Sequence, residues 1–161
     1  MPEVGEYAVG AYLKIIKTCD VIDYNAHFPG GGLKGLGELD VIGLDFKTQT
    51  AYLCEVTTHL DGLFYGQNAA TTVQKIKDKY VRQQAYAKEI LSSFANHTFM
   101  FWSPKVTNSV LNELKDISGL DLVINEKYRD CINQLRDRSK KTTSDMNNPF
   151  FRTLQILEHL K

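Results

Sequence analysis

The stretch from residue 38 to residue 59 reads ELDVIGLDFKTQTAYLCEVTTH. Its two apolar runs, LDVIGL and AYLCEV, predict two β-strands, and the FKTQT segment between them is too short for a crossover, so the strands should pair antiparallel. Each run also contains an acid, Asp40 in the first and Glu55 in the second. Burying a charge is costly unless another group pairs with it. These two carboxylates are therefore the first candidates for a functional site.

Hydrophobic periodicity around this hairpin predicts alternating helices and strands. Because a helix separates the last two predicted strands, those strands should be parallel. We therefore expect an α/β fold in which helices flank a mixed sheet on both faces, as a single domain over residues 1–161. The predicted elements are helix 3–17, strand 19–24, strand 37–45, strand 51–59, helix 68–92, strand 98–102, helix 110–117, strand 120–124, helix 126–138 and helix 150–160.

The composition is that of an ordinary globular domain: 43% of the 161 residues are hydrophobic, 24% are charged, and the formal net charge is zero. A nucleic-acid partner would therefore need a locally basic surface. The chain has no apolar run of about 18 residues and no signal-peptide core, so we expect no membrane partner and a cytoplasmic location. Cys19 and Cys54 fall in strand-like runs and are predicted to be buried thiols, which favours a reducing compartment.

Two other features could indicate a functional site, a glycine-rich segment and the histidines. The glycine-rich segment at Gly30, Gly32 and Gly35 fits GxGxxG, but a strand follows it where a phosphate-binding loop needs a helix. A plain mobile loop is therefore the favoured interpretation. The histidines are scattered without metal-ligand spacing, and His59, two residues beyond Thr57, is the one that could lie near a site.

Adjacent antiparallel strands can hold Asp40 and Glu55 a few ångströms apart, where their charges repel. A divalent cation removes the repulsion. Magnesium binds carboxylate oxygens and keeps several waters, one of which can attack phosphorus in line. The alternative is that one acid simply faces solvent on a half-exposed sheet, but two acids on consecutive strands favour the metal site.

The element order and the two acids resemble the PD-(D/E)xK nuclease superfamily, which has the restriction-endonuclease-like fold. The resemblance covers residues 3–125, and the helices of residues 126–161 follow it. It implies that Asp40 matches the family aspartate and Glu55 the family glutamate, together holding Mg²⁺ or Mn²⁺. Glu6 in the opening helix matches by position a further family acid, as an outer metal ligand. The implied activity is a metal-dependent endonuclease that cuts DNA, with a restriction or defence role.

One departure from the family pattern concerns the third strand, which should read E-x-K. Thr57 stands at the lysine position, and a threonine carries no positive charge, although it is a candidate ligand of the attacking water. Some branches of the family supply the lysine from the following helix. At about 100° per residue, Lys77 lies about 40° from Val73, inside the predicted apolar stripe, so Lys77 is favoured and Lys79 is next.

Further side chains are candidates for contacts with the substrate. Gln84 is predicted to point inward from the same helix, and Phe64 and Tyr65 follow the third strand. Basic residues that could form a phosphate track are Lys75, Lys79 and Arg82 on one helix flank and Lys140 and Lys141 in a later segment.

Three functional hypotheses follow. The first is the DNA-cutting enzyme, for which a homodimer with contacts through the C-terminal helices is a candidate assembly. The second is a catalytically degenerate module of the same fold that binds nucleic acid or a protein partner, and it is favoured by the missing E-x-K lysine and the neutral net charge. The third, a small-molecule enzyme of another α/β class, has no supporting motif.

Overall fold

The computed structural model describes residues 1–28, 38–63 and 68–161. The glycine-rich segment with Gly30, Gly32 and Gly35, and the pair Phe64 and Tyr65, lie outside the described residues. The elements are α1 (Val4–Ile15), β1 (Val21–Ala26), β2 (Leu39–Asp45), β3 (Thr50–Val56), α2 (Ala69–Glu89), β4 (Asn96–Ser103), α3 (Asn108–Leu114), β5 (Leu120–Ile124), α4 (Asn125–Ser139) and α5 (Pro149–His159).

The strands form one mixed sheet in the order β1-β2-β3-β4-β5. β1, β2 and β3 pair antiparallel, whereas β3, β4 and β5 pair parallel. The turn between β2 and β3 is closed by Asp45, whose Oδ1 accepts the backbone N–H groups of Lys47 and Thr48 at 2.9 and 3.1 Å. The predicted antiparallel hairpin and the predicted parallel pairing of the last two strands are both confirmed.

Successive strand residues are buried in different cores, one on each face of the sheet. Val41 and Cys54 belong to a core shared with α1, α4 and α5. Their neighbours Ile42 and Leu53 belong to a core shared with α2. This alternation with a period of two residues confirms the predicted α/β architecture with helices on both faces of a mixed sheet.

The first turn of α1 is held near the sheet by a polar link to α5. Asn148, the N-cap of α5, accepts the backbone N–H of Phe151 and donates to the carbonyl of Tyr7, both at 2.9 Å. Gly10 lets the helix come closer still, because a Cβ there would lie 2.0 Å from the Tyr24 hydroxyl oxygen. Both contacts fix the end of α1 that carries Glu6.

Most element boundaries differ from the predicted ones by a few residues. The first strand begins at Val21 and not at residue 19. The backbone N–H of Cys19 still donates to the carbonyl of Leu13, so Cys19 belongs to the turn that ends α1. Cys19 and Cys54 are buried free thiols, as predicted. Over the described ranges, no helix is both long and apolar enough to cross a membrane.

Candidate active site

Asp40 and Glu55 meet at one end of the sheet. Val41 pairs with Cys54 in the antiparallel register, and continuing that register by one residue places Asp40 opposite Glu55. Residues directly opposite each other on antiparallel strands point to the same face. Asp40 also reaches across to β3, where its Oδ2 accepts the backbone N–H of Val56 at 2.7 Å. The predicted convergence of the two acids is therefore present.

A lysine from α2 completes the cluster. The Nζ of Lys79 lies 2.5 Å from Glu55 Oε2 and 4.0 Å from Asp40 Oδ2. The side chain of Glu55 is 1% exposed, and those of Asp40 and Lys79 are 17% and 22% exposed. The three groups form a charged cluster, largely removed from solvent, that opens at its Asp40 and Lys79 side.

The preference for Lys77 over Lys79 is wrong, because Lys77 is exposed on α2. The buried face of this helix is centred on Ile76 and Gln83, so Val73 lies at its edge. At about 100° per residue, Lys79 lies about 40° from Gln83, whereas Lys77 lies about 100° from Ile76. The prediction took Val73 as the centre of the apolar stripe, whereas Val73 lies at the edge of the buried face.

The prediction that Gln84 points inward is wrong for the same reason. Gln84 is exposed, and its neighbour Gln83 is fully buried. The Nε2 of Gln83 donates to the carbonyls of Leu53 and Met100 at 3.0 Å each, which fixes α2 against β3 and β4. Sequence reasoning missed Gln83 because it is polar, although it stands one helical turn beyond Lys79.

Burial makes Glu55 an unusual carboxyl group. Desolvation raises its pKa to about 7, the Lys79 ammonium opposes this rise, and the charge of Asp40 adds to it. Oε2 has Lys79 as its partner, but Oε1 is buried and has no hydrogen-bond partner among the described residues. A carboxylate with an unsatisfied buried oxygen beside a second carboxylate is a site at which a cation would relieve both costs.

Glu6 belongs to α1, which packs on the Val41 and Cys54 face of the sheet, whereas Asp40 and Glu55 lie on the face that α2 covers. Its Oε2 accepts the backbone N–H of Glu3 at 2.9 Å, which closes a capping box at the start of α1. Burial raises the pKa of Glu6, the bond from Glu3 opposes the rise, and the charge of Asp40 adds to it. In the part of the chain that the structure describes, no group of three or more His, Cys, Asp or Glu side chains is placed to hold a metal. The role of Glu6 as an outer ligand stays a prediction.

Two residues that follow β3 differ in their surroundings. Thr57 is 7% exposed, and its backbone N–H donates to the carbonyl of Trp102 at 2.9 Å, which continues the pairing of β3 with β4. Thr57 therefore lies two positions beyond Glu55 at the same end of the sheet, where its role as a ligand of water stays a prediction. His59 is exposed, and its role also stays a prediction.

A groove runs along α2 beside the acid cluster. It has a volume of about 440 Å³ and is lined by Lys75, Asp78, Lys79 and Arg82. The predicted basic flank of α2 therefore lines a single groove. Lys140 and Lys141 do not join it, because they follow α4, which packs with α1 and α5 on the other face of the sheet. The prediction that they extend the same track is wrong.

Comparison with known proteins gives no match. No family model, no curated protein and no solved structure matches the chain. The function is therefore inferred from the geometry of the described residues.

Proposed function

We propose that this protein is a metal-dependent nuclease that hydrolyses DNA phosphodiester bonds. Asp40 and Glu55 would hold Mg²⁺ or Mn²⁺, and Lys79 would take the place of the lysine missing from the E-x-K pattern. The observation that carries the proposal is the contact between Lys79 and Glu55, which joins groups 24 residues apart in sequence within reach of Asp40.

The order of elements supports the same proposal. A helix, a three-strand antiparallel meander, a second helix and a parallel strand follow one another from α1 to β4. That order agrees with the common core of the PD-(D/E)xK superfamily. The two acids come from its second and third strands, as that resemblance implies.

The residues present suit a magnesium-type ion. Magnesium is usually bound by one or two carboxylates and keeps several waters, so Asp40 and Glu55 suffice as direct ligands. Oε1 of Glu55, which has no hydrogen-bond partner among the described residues, is available as a metal ligand. When bound, such an ion supplies a water of lowered pKa and offsets charge on the leaving oxygen.

Lys79 has two tasks in this proposal. Its positive charge lowers the pKa of Glu55 against the effect of burial and so favours the carboxylate that a metal needs. Its ammonium is 22% exposed beside Asp40, where it would donate to the attacking water or to a phosphate oxygen. A threonine at position 57 carries no charge, so it cannot perform the first task.

Cleavage of supercoiled plasmid DNA with Mg²⁺ or Mn²⁺ tests the proposal. Asp40→Asn, Glu55→Gln and Lys79→Met should each lower the rate by about 100-fold or more, because each removes a group that stabilises the transition state. Lys77→Met is the matched control: it removes the same charge from an exposed position on the same helix and should stay within about twofold of the wild-type rate. Wild-type rates in the Asp40 and Glu55 variants would contradict the proposal.

A catalytically degenerate DNA-binding module is the second candidate. The observation that favours it is the salt bridge itself, since Lys79 compensates the charge of Glu55 without a metal. This module would bind plasmid DNA and leave it uncut under every metal condition. A role in binding a protein partner instead of nucleic acid stays a prediction, and so does a homodimer through the C-terminal helices.

A further inference from the structure

Arg82 lies one helical turn beyond Lys79 and lines the same groove. Its Nε is buried and has no hydrogen-bond partner among the described residues. Its charge acts on the acid cluster, where it lowers the pKa of Glu55. An unpaired donor on a charged group is costly, and this guanidinium lines the groove, so an anion bound in the groove would offset part of that cost.

The charges that line the groove are unequal. Among the described residues that line it, Lys75, Lys79 and Arg82 are cationic and Asp78 is acidic. Asp78 accepts a hydrogen bond from Gln74 at 2.8 Å along the helix. Even with Lys79 paired to Glu55, cations outnumber acids among the described lining residues, directly beside the proposed reaction site.

The groove is long enough to follow a nucleic-acid strand. Residues 75 and 82 are seven positions apart on a helix, which is a rise of about 10 Å. Successive phosphates of one strand of duplex DNA are about 3.4 Å apart along its axis. Because a strand winds around the axis, its phosphates are farther apart along the strand than this, so about two of them would lie along this flank of α2.

We propose that this groove binds the phosphate backbone of DNA next to the bond that is cut, and that Arg82 is its anchor. The planar guanidinium presents several N–H donors and suits a phosphate better than a lysine ammonium does. This inference rests on the proposed nuclease function, and it adds the surface by which the substrate is held.

Fluorescence anisotropy of a labelled DNA duplex in EDTA tests the subsite without cleavage. Arg82→Gln should weaken binding about tenfold, because a charge-assisted hydrogen bond is lost. It should also reduce the slope of log affinity against log salt concentration by about 0.9, the value for one phosphate contact. Arg82→Lys should recover part of the loss, and thermal melts should show that each variant is folded.

Lys77→Gln removes one charge from an exposed position outside the groove and should stay within about twofold of wild type. Equal effects of the Arg82 and Lys77 variants, or an unchanged salt slope in Arg82→Gln, would overturn the inference. Phosphorus NMR that shows binding of inorganic phosphate to a protein that does not bind the duplex would also overturn it.

The two proposals can fail separately. If Arg82→Gln loses duplex binding but the wild-type protein cuts no DNA with Mg²⁺ or Mn²⁺, the subsite stands and the nuclease proposal fails. If the wild-type protein cuts DNA while Arg82→Gln binds the duplex as tightly as wild type, the subsite fails and the nuclease proposal stands.

Discussion

Glu55 combines burial with a salt bridge to Lys79. Its side chain is 1% exposed and contacts Lys79, and its second oxygen has no partner among the described residues. Burial dominates this balance, since the pKa is raised to about 7 despite the nearby ammonium. In the absence of metal, the charged form of this residue therefore opposes folding.

The stability of the metal-free protein should depend on pH through this residue. The pKa of Glu55 is raised in the folded state, so its favourable contribution is complete below about 4.5 and is lost as the pH rises through about 7. Glu55→Gln removes this dependence. The variant should gain on wild type by about 3 kcal/mol between pH 4 and pH 8, because each pKa unit corresponds to about 1.36 kcal/mol.

Denaturant unfolding in EDTA measures this difference. The fluorescence of Trp102, the single tryptophan, which is 1% exposed, reports unfolding. Glu113→Gln, at an exposed position, controls for the removal of a charge alone. A gap between Glu55→Gln and wild type that stays constant from pH 4 to pH 8 would contradict the assigned environment of Glu55.

The site residues show what a sequence can and cannot predict at this scale. Asp40 and Glu55 were found because acids inside apolar runs are conspicuous. Lys79 was ranked below Lys77 because the buried face of α2 includes a polar residue, Gln83, which hydrophobic periodicity does not count. The centre of an amphipathic face depends on which polar groups find partners, and that is decided by tertiary packing.

At the scale of elements, α1 is defined by how closely it approaches β1. Glycine in a helix interior normally costs about 1 kcal/mol relative to alanine. Gly10 is the exception here, since a Cβ would lie 2.0 Å from the hydroxyl oxygen of Tyr24 and 2.7 Å from its ring. The tight contact keeps the helix that carries Glu6 against the sheet.

Gly10→Ala should therefore destabilise the protein by about 1–3 kcal/mol, as expected for overpacking, although alanine is the better helix former. Thermal or denaturant unfolding measures the change. In a double-mutant cycle with Tyr24→Ala, the cost of the alanine should largely vanish, because the atoms that it meets are gone. A stabilising Gly10→Ala would show that α1 does not approach Tyr24 this closely.

The strands were predicted well and their ends less well. The apolar runs LDVIGL and AYLCEV predicted the two strands of the β2–β3 hairpin, because a strand buried on both faces needs apolar residues along its length. The short connection between them predicted the antiparallel pairing. The end of β3 was predicted too late, at residue 59 instead of Val56. Thr57 still pairs through its backbone, and neither composition nor periodicity marks where such pairing ends.

At the scale of the whole molecule, the site and the fold are held together by contacts between distant parts of the chain. Asn148 joins α5 to α1 across 141 positions, through its bond to the carbonyl of Tyr7. The acids and the lysine come from β2, β3 and α2, so the cluster exists only when the sheet and the crossover helix are both formed. The order of elements could be predicted from local patterns, but these contacts between distant residues could not.

The side chain of Asn148 makes two stabilising contacts, one with the N-terminus of α5 and one with the Tyr7 carbonyl. Asn148→Ala should cost about 1–3 kcal/mol, because α5 loses its N-cap and the Tyr7 carbonyl loses a donor. Asn148→Asp keeps an acceptor for the N-cap but has no donor for Tyr7, so its loss should be intermediate. Unfolding by denaturant measures both variants. If Asn148→Asp is as stable as wild type, the link to α1 contributes nothing.

The most direct measurement is a titration with Mn²⁺ followed by the electron paramagnetic resonance signal of the free ion. Wild type should remove one equivalent of Mn²⁺ from solution. Asp40→Asn and Glu55→Gln should each weaken this binding by about tenfold or more, and Glu113→Gln should leave it unchanged. Binding of equal strength in wild type and in both site variants would contradict a cation shared by Asp40 and Glu55.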